Sequence, residues 1–216
     1  MGIRILESLG IDTVVELSGV GENLIDQTNH VQAFASDMEA SGTAFHVFVT
    51  AADLFGDDLA DIEASTRKSL PEWAQDIVDA SGEGALDLRA VEKHLQIQHD
   101  LIFKQNVTLS EIMCVGTGTG DQTFFGSAYW NLLPFARGSV HLKSADDINT
   151  PVINPRFFSV DFDLDVTVAT GKLVRKFWAS APMGDAISAQ IVPDSDTLPE
   201  DATEEQWAAF HSSGGE

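Results

Sequence analysis

The sequence predicts an α+β fold, with helices packed on one side of a largely antiparallel sheet. Short segments rich in Val, Ile and Phe alternate apolar and polar positions, as half-buried strands do. Two long segments instead repeat apolar residues every three or four positions, which is typical of amphipathic helices. The two patterns do not alternate along the chain as parallel βαβ units would. An antiparallel sheet backed by helices is therefore favoured.

The strand pattern recurs in six separate segments. The first of them follows a helix tail over residues 1–9 that Gly10 is expected to end. In the last segment Val140 and Leu142 share one face, as the two-residue repeat of a strand requires. Strands are predicted over residues 12–17, 30–35, 44–50, 109–115, 128–135 and 137–143.

The helix pattern is longest over residues 85–105, where the apolar positions are Leu88, Val91, Leu95 and Ile102. Residues 161–180 form a second helix candidate, with three Asp residues in the opening turn and basic residues toward the end, which suits the helix dipole. Residues 53–81 are predicted as two helical pieces separated at Pro71, since proline fits a first turn. A short helix is expected over residues 202–211.

Charge and composition exclude several classes of protein. The chain has 216 residues, 12 Lys and Arg and 34 Asp and Glu, so its formal net charge is −22. Such a chain repels phosphate backbones and anionic membranes, which excludes nucleic acid and membrane surfaces as partners. A single cysteine, Cys114, cannot form an internal disulfide and lies in an apolar run that predicts a buried thiol.

The residues alone reveal no catalytic or metal-binding set. Gly116-x-Gly-x-Gly follows a strand, but no helix opens after it, so residues 116–121 are predicted to be a flexible connector rather than a nucleotide-binding loop. Among the six histidines, His94 and His99 are five residues apart and point to different helix faces. Phe124, Phe125, Tyr129 and Trp130 could line a ligand pocket or simply fill the core, and both readings stay open.

Four segments carry a resemblance to one enzyme family. They are Ile5-Leu-Glu-Ser-Leu-Gly-Ile-Asp-Thr-Val-Val-Glu-Leu17, Gly19-Val-Gly-Glu-Asn-Leu-Ile-Asp26, Trp130-Asn-Leu-Leu-Pro-Phe-Ala-Arg-Gly-Ser-Val-His-Leu142 and Pro151-Val-Ile-Asn-Pro-Arg156. In this order they resemble the glucose-methanol-choline (GMC) flavoprotein oxidoreductases, and most of all the glucose oxidase branch. The resemblance implies an FAD enzyme that oxidises a small-molecule alcohol or sugar by hydride transfer to the flavin.

The same resemblance assigns expected roles to individual residues. The loop over residues 19–28 would approach the flavin, with Asn23, Asp26, Gln27 and Thr28 as the cofactor-binding candidates and with glycines that permit close backbone approach. Trp130 and Met113 fall on segments that line the family's substrate pocket. Met113 stands where the branch has a Phe, a departure that leaves the identity of the substrate open.

The family's domains divide this sequence unevenly. Residues 1–29 are expected to be a remnant next to the flavin, and residues 30–216 the substrate-binding domain, cut before the segment that carries the catalytic His. The Gly-x-Gly-x-x-Gly motif of the Rossmann-like FAD domain has no counterpart, and no catalytic or metal-binding residue is assigned. We therefore expect a fragment without stable FAD binding or turnover of its own. The alternative is an inactive sugar-binding or interaction module. For the longer parent the resemblance implies a homodimer and an extracellular location, although the chain carries no signal peptide.

Overall fold

The computed structural model describes residues 3–39, 42, 44–119 and 122–213, and within these ranges the backbone forms six α-helices and eight strands. The helices are α1 (Ile3–Ser8), α2 (Ala51–Phe55), α3 (Leu59–Ala80), α4 (Leu88–Phe103), α5 (Asp161–Ala179) and α6 (Glu204–Ser212). The strands are β1 (Glu22–Leu24), β2 (His30–Ser36), β3 (Ala44–Thr50), β4 (Thr108–Thr119), β5 (Gln122–Asn131), β6 (Gly138–His141), β7 (Val152–Asn154) and β8 (Ile187–Val192).

The strands form two antiparallel sheets. The larger sheet has five strands in the order β3-β4-β5-β2-β8, and the smaller has three in the order β1-β6-β7. All pairings are antiparallel, with Ser110 opposite Asn131 and His30 opposite Tyr129 in the larger sheet. The α+β class with helices backing an antiparallel sheet is thus confirmed.

Helix α5 covers one face of the larger sheet. Trp178 and Val174 of α5 pack against Phe34, Ile112 and Tyr129 from three adjacent strands. Two hydrogen bonds join the layers: the Trp178 indole donates to Ser127 Oγ at 2.8 Å, and Thr170 Oγ1 donates to Ser110 Oγ at 3.0 Å. Because both hydroxyl acceptors are buried, these bonds replace water and fix the helix in one register on the sheet.

A second cluster joins α3, α4 and the first half of α5. Helix α4 buries Val91, Leu95 and Ile102 of the face predicted from its periodicity and half-buries Leu88, and Phe135 and Phe162 close the cluster against α5. The buried members from the helices are Leu70, Ala74, Ile77, Val91, Leu95, Ile102, Phe162 and Val166.

The structure corrects four local predictions. Residues 12–17 belong to neither sheet, and Val14 is 94% exposed; the β-branched run has no strand beside it to complete a sheet. Helix α3 passes through Pro71 without interruption, since the proline ring lies on the exposed face of the helix while Leu70 and Ala74 lie on the buried face.

Residues 116–119 extend β4 rather than forming a connector, whereas Gly120 and Asp121 lie outside the described residues. Strand β5 ends at Asn131, not at residue 135.

Two buried charged side chains shape the loop that follows β5. Asp163, in the first turn of α5, accepts hydrogen bonds from the backbone N–H groups of Phe135 and Ala136, each at 2.8 Å. Arg137 donates to the carbonyls of Pro134 and Ala136 and to Gln98 Oε1. Burial raises the pKa of Asp163 to about 6, although the two backbone N–H groups and Arg137 act in the opposite direction. The loop is therefore held by α5 from one side and by α4 from the other.

Glycine is required at position 21, where the loop before β1 packs against β6. Gly21 has φ +87°, and its carbonyl accepts a hydrogen bond from Val140 N at 2.7 Å. A Cβ at Gly21 would overlap the carbonyl oxygen of Val140 and lie 2.9 Å from His141 Nδ1, whereas one at Gly19 would meet only Ala85 O at 3.6 Å. The sequence suggested that glycines in this loop let the backbone approach a cofactor. In the structure the close backbone approach at Gly21 is to β6.

We predict that Asp163→Asn lowers the free energy of unfolding by about 1–3 kcal/mol, because one amide N–H₂ would face a backbone N–H that then has no acceptor. Asp165→Asn, two residues along the same helix, is the matched control. The Asp165 side chain reaches solvent, and partial desolvation together with the charges of Asp161 and Glu204 raises its pKa, so its neutralisation should cost nothing. Urea titration of both variants measures the difference; equal stabilities would contradict the assigned role of Asp163.

We predict that Gly21→Ala destabilises the chain by roughly 2–4 kcal/mol, through the left-handed backbone and the overlap with Val140. Gly19→Ala serves as the control and should change stability by less than about 0.5 kcal/mol, because ordinary van der Waals space receives its methyl group. Thermal unfolding followed by circular dichroism compares the two. A Gly21→Ala variant as stable as the parent would show that the loop does not need this crossing.

Candidate functional site

Three of the four predicted cofactor-binding residues lie together beside the start of α5. Asp26, Gln27 and Thr28 line a small cavity whose other walls come from the loop after β5, the loop before α5 and the helix itself. Asp26 Oδ1 accepts a hydrogen bond from the Gln27 backbone N–H at 2.8 Å, which fixes the turn. The remaining lining residues are Asn131, Pro134, Ala136, Pro155, Phe157, Phe158, Asp163 and Thr167.

The fourth residue, Asn23, lies in a neighbouring cavity. It occupies β1 with φ +61°, a conformation that Asn tolerates better than most residues, and its side chain is exposed. The residues around it include Glu22, Arg137 and Arg156. Glu22 is held in place by His141, whose Nε2 is 2.9 Å from Glu22 Oε1. The structure thus brings residues 26–28 together and separates Asn23 from them, and the cofactor-binding role of all four stays a prediction.

The predicted substrate residues share the face of the larger sheet that α5 leaves uncovered. Trp130 pairs with Glu111 and Met113 pairs with Ala128, so Trp130 and Met113 are diagonal neighbours on one face. Their strand neighbours Ile112 and Tyr129 point the other way, into the core under α5. Trp130 and Met113 are both half-buried. We refer to the face formed by Trp130, Met113, Ala128, Glu111, His46 and Phe48 as the open face.

The two predicted sets adjoin opposite sides of β5. Asn131, which lines the cavity of residues 26–28, follows Trp130 directly in β5 and therefore points to the opposite side of the sheet. Alternation along the predicted strand places Trp130 and Asn131 on opposite faces. Which of the two faces lies under α5 becomes known only when the partner strands and the helix are placed.

A hydrogen-bonded pair of a histidine and a glutamate, not identified from the sequence, lies on the open face. His46 of β3 pairs across strands with Met113, and its Nδ1 is 2.7 Å from Glu111 Oε1. The neighbouring Phe48 is 57% exposed and stacks near His46, with ring centroids 6.5 Å apart. Alternation along residues 44–50 places His46 and Phe48 on one face, so the grouping was accessible once the strand was predicted. Sequence reasoning failed to select His46 because one strand histidine carries little information.

The open face combines apolar surface with hydrogen-bonding groups. The Trp130 ring and Met113 can pack on an apolar or sugar ring, while the Glu111 carboxylate accepts hydrogen bonds from hydroxyl groups. Cys114 points away from this face: its thiol is buried, 3.1 Å from Ser127 Oγ, and burial raises the pKa of that thiol. The buried thiol predicted from the sequence is therefore confirmed.

The described ranges hold neither a metal-binding cluster nor a helix that could span a membrane. Among residues 3–39, 42, 44–119 and 122–213, no group of three or more His, Cys, Asp and Glu side chains could hold a metal ion. Over the same part of the chain, every helix is too short or too polar to cross a membrane.

Comparison with known proteins identifies relatives among flavin-dependent enzymes. Residues 134–215 match the family model described as GMC oxidoreductase. The chain is 47% identical over 200 residues to a glucose oxidase-like protein, fsoC, of Humicola fuscoatra, covering 93% of this chain and 33% of the relative. It is 30% identical over 213 residues to the glucose oxidase of Penicillium chrysogenum, covering 97% and 34%. The chain thus spans about one third of the length of the curated relatives it matches.

Solved structures share the fold at lower sequence identity. An FAD-dependent oxidoreductase from Chaetomium thermophilum superposes with a TM-score of 0.71 at 19% identity, over 96% of this chain and 39% of that one. A fungal aryl-alcohol oxidase gives a TM-score of 0.70 at 18% identity, over 97% and 39%. The family match, the two relatives and the shared fold agree with the resemblance carried by the four sequence segments: residues 134–215 match the GMC oxidoreductase family, and the chain is similar to proteins named glucose oxidase over most of its length.

Proposed function

We propose that this chain forms the substrate-facing part of an FAD-dependent oxidoreductase that oxidises a CH–OH group of an alcohol or sugar. The observation that carries the proposal is the open face, where Trp130 and Met113 lie beside the paired Glu111 and His46. Relatives named glucose oxidase and a structural neighbour named aryl-alcohol oxidase support the substrate class. Both kinds of substrate present a ring and a hydroxyl group, which an aromatic side chain next to a carboxylate can receive.

The residues that line the small cavity fit an edge of a flavin rather than the whole cofactor. Thr28 and Gln27 can donate hydrogen bonds to carbonyl oxygens, and Phe157 and Phe158 supply an apolar wall. Asp26 would orient the turn, since its carboxylate accepts from the Gln27 N–H. A flavin held there would supply the acceptor for the hydride that leaves the substrate carbon. In the proposal Asp26, Gln27 and Thr28 hold and orient the edge of the flavin, and Asn23 contacts the flavin from the adjoining cavity. None of the assigned residues takes the hydroxyl proton.

The proposal divides the chain near residue 30. Residues 1–29 would lie next to the flavin, and residues 30–216 would bind substrate. In support of this division, His30 begins β2, which is the first strand along the chain that belongs to the larger sheet. The small sheet joins the two parts, because β1 pairs with β6. The proposal includes a homodimer for the longer protein, which sedimentation of that protein would measure.

We predict that the chain expressed alone carries no visible flavin absorbance and gives no heat when titrated with glucose or an aryl alcohol, because the residues present contact only part of either ligand. Absorbance spectra and calorimetry on the purified chain test this. Co-purified flavin would contradict the proposal. Heat of sugar binding without flavin would favour the alternative, an inactive sugar-binding module centred on Trp130.

We predict that, in the chain extended by its flanking coding sequence, Trp130→Ala lowers kcat/KM about tenfold, equivalent to roughly 1.4 kcal/mol, through loss of ring packing. Trp130→Phe keeps an aromatic plane and is the matched control, expected within about threefold of the parent. Anaerobic reduction of the bound flavin by the alcohol or sugar gives the rates. Equal rates for the Ala variant and the parent would remove Trp130 from the substrate site.

A further inference from the structure

Two histidines meet in the interior where α6 packs on the sheet and α5. His30, the first residue of β2, is 2% exposed, and His211, in the last turn of α6, is 1% exposed. Their ring centroids are 4.5 Å apart at 75°. None of their four ring nitrogens has a hydrogen-bond partner among the described residues. A buried polar group without a partner is destabilising, so this arrangement persists only while both rings are neutral.

The side chains around the two histidines are aromatic, apolar or cationic, so they would not compensate a positive charge on either ring. Tyr129 of β5 and Phe158 face His30, while Tyr129, Trp207 and Phe210 face His211. Arg175 of α5 lies 4.5 Å above the Trp207 ring, and Glu200 interacts with Arg175 rather than with either imidazole. Within the described ranges, no carboxylate bonds to His30 or His211. Protonation would therefore place two imidazolium ions close together in an apolar site near a guanidinium group.

From this geometry we propose that the His30–His211 pair is an acid-operated latch. While both rings are neutral, α6 stays docked on α5 and the larger sheet; when the rings are protonated, α6 is released. Helix α6 is the element that moves, because His211 can reach water when α6 undocks, whereas His30 is fixed in the larger sheet by its pairing with Tyr129. In the docked state Trp207 and Phe210 of α6 pack in a small apolar cluster with Val168 and Leu198. No residue of this cluster belongs to the open face.

The direction of the pH effect follows from the pKa values. Burial lowers the pKa of His30 to about 4, and burial together with the nearby His30 lowers that of His211 to about 3, against 6.5 in a solvated chain. The docked state therefore binds fewer protons than the undocked one. Its stability is full above pH 6.5 and is lost progressively as pH falls toward 4. At pH 5 each imidazole that becomes solvated shifts the equilibrium toward the undocked state about 25-fold relative to pH 7.

Amide hydrogen exchange of the whole chain tests the latch. Protection factors of α6 amides, corrected for the intrinsic pH dependence of exchange, are expected to fall at least tenfold between pH 7 and pH 5. In the double variant His30→Phe and His211→Phe they should change less than threefold, because neither ring can then take a proton. His99→Phe is the matched control: His99 is equally buried but bonded to Thr66, so this variant should keep the pH response of α6.

Two results would overturn the proposal. One is unchanged α6 protection at pH 5 in the parent chain, and the other is the same acid loss in the double variant. Should the double variant fail to fold, the parent chain still decides the matter by NMR titration of its histidine rings. The signals of His30 and His211 should shift together with α6 exchange; titration near pH 6.5 while α6 stays protected contradicts the latch.

Discussion

The packing of α5 on the five-stranded sheet is the constraint on which the rest of the structure depends. Its first turn holds the loop after β5 through Asp163, its middle bonds to Ser110 through Thr170, and its end bonds to Ser127 through Trp178. These contacts are spaced along the whole helix, so α5 cannot slide or rotate without breaking a buried hydrogen bond. The cavity of residues 26–28 and the docking of α6 both rest on this one helix.

A single glycine in α5, Gly171, permits the close packing of the larger sheet, α5 and α6. A Cβ at Gly171 would come within 2.8 Å of Trp207 Cζ3 and of Tyr129 Oη, and within 3.0 Å of His211 Nε2. Its carbonyl also accepts a hydrogen bond from buried Gln32 at 2.7 Å. The absent side chain thus lets the sheet, α5 and α6 approach each other at one point. The histidine pair is buried because of that approach, which links the latch to the same helix that positions the candidate site.

Much of the fold follows from local pattern, and the departures have physical causes. The three-to-four-residue repeat identified α4 and α5, and alternation identified β2, β3 and the start of β4. Residues 12–17 show the same β-branched composition as a strand but join neither sheet, a fact that no local signal contains. Pro71 predicted a break that α3 does not show, because the burial of Leu70 and Ala74 outweighs one missing hydrogen bond. The candidate site was predicted by resemblance, whereas its division between two sides of β5, and the pairing of His46 with Glu111, required the strand register.

Strand β3 lies at the margin of the larger sheet, with β4 as its neighbour on one side only among the described strands. Phe45, Val47 and Phe48 leave apolar surface uncovered along it, and the strand carries no formal charge at pH 7 when His46 is neutral. Such a margin can template an additional strand from another molecule. The net charge of −22 opposes that encounter at low ionic strength, so added salt should promote self-association of this chain by screening the repulsion.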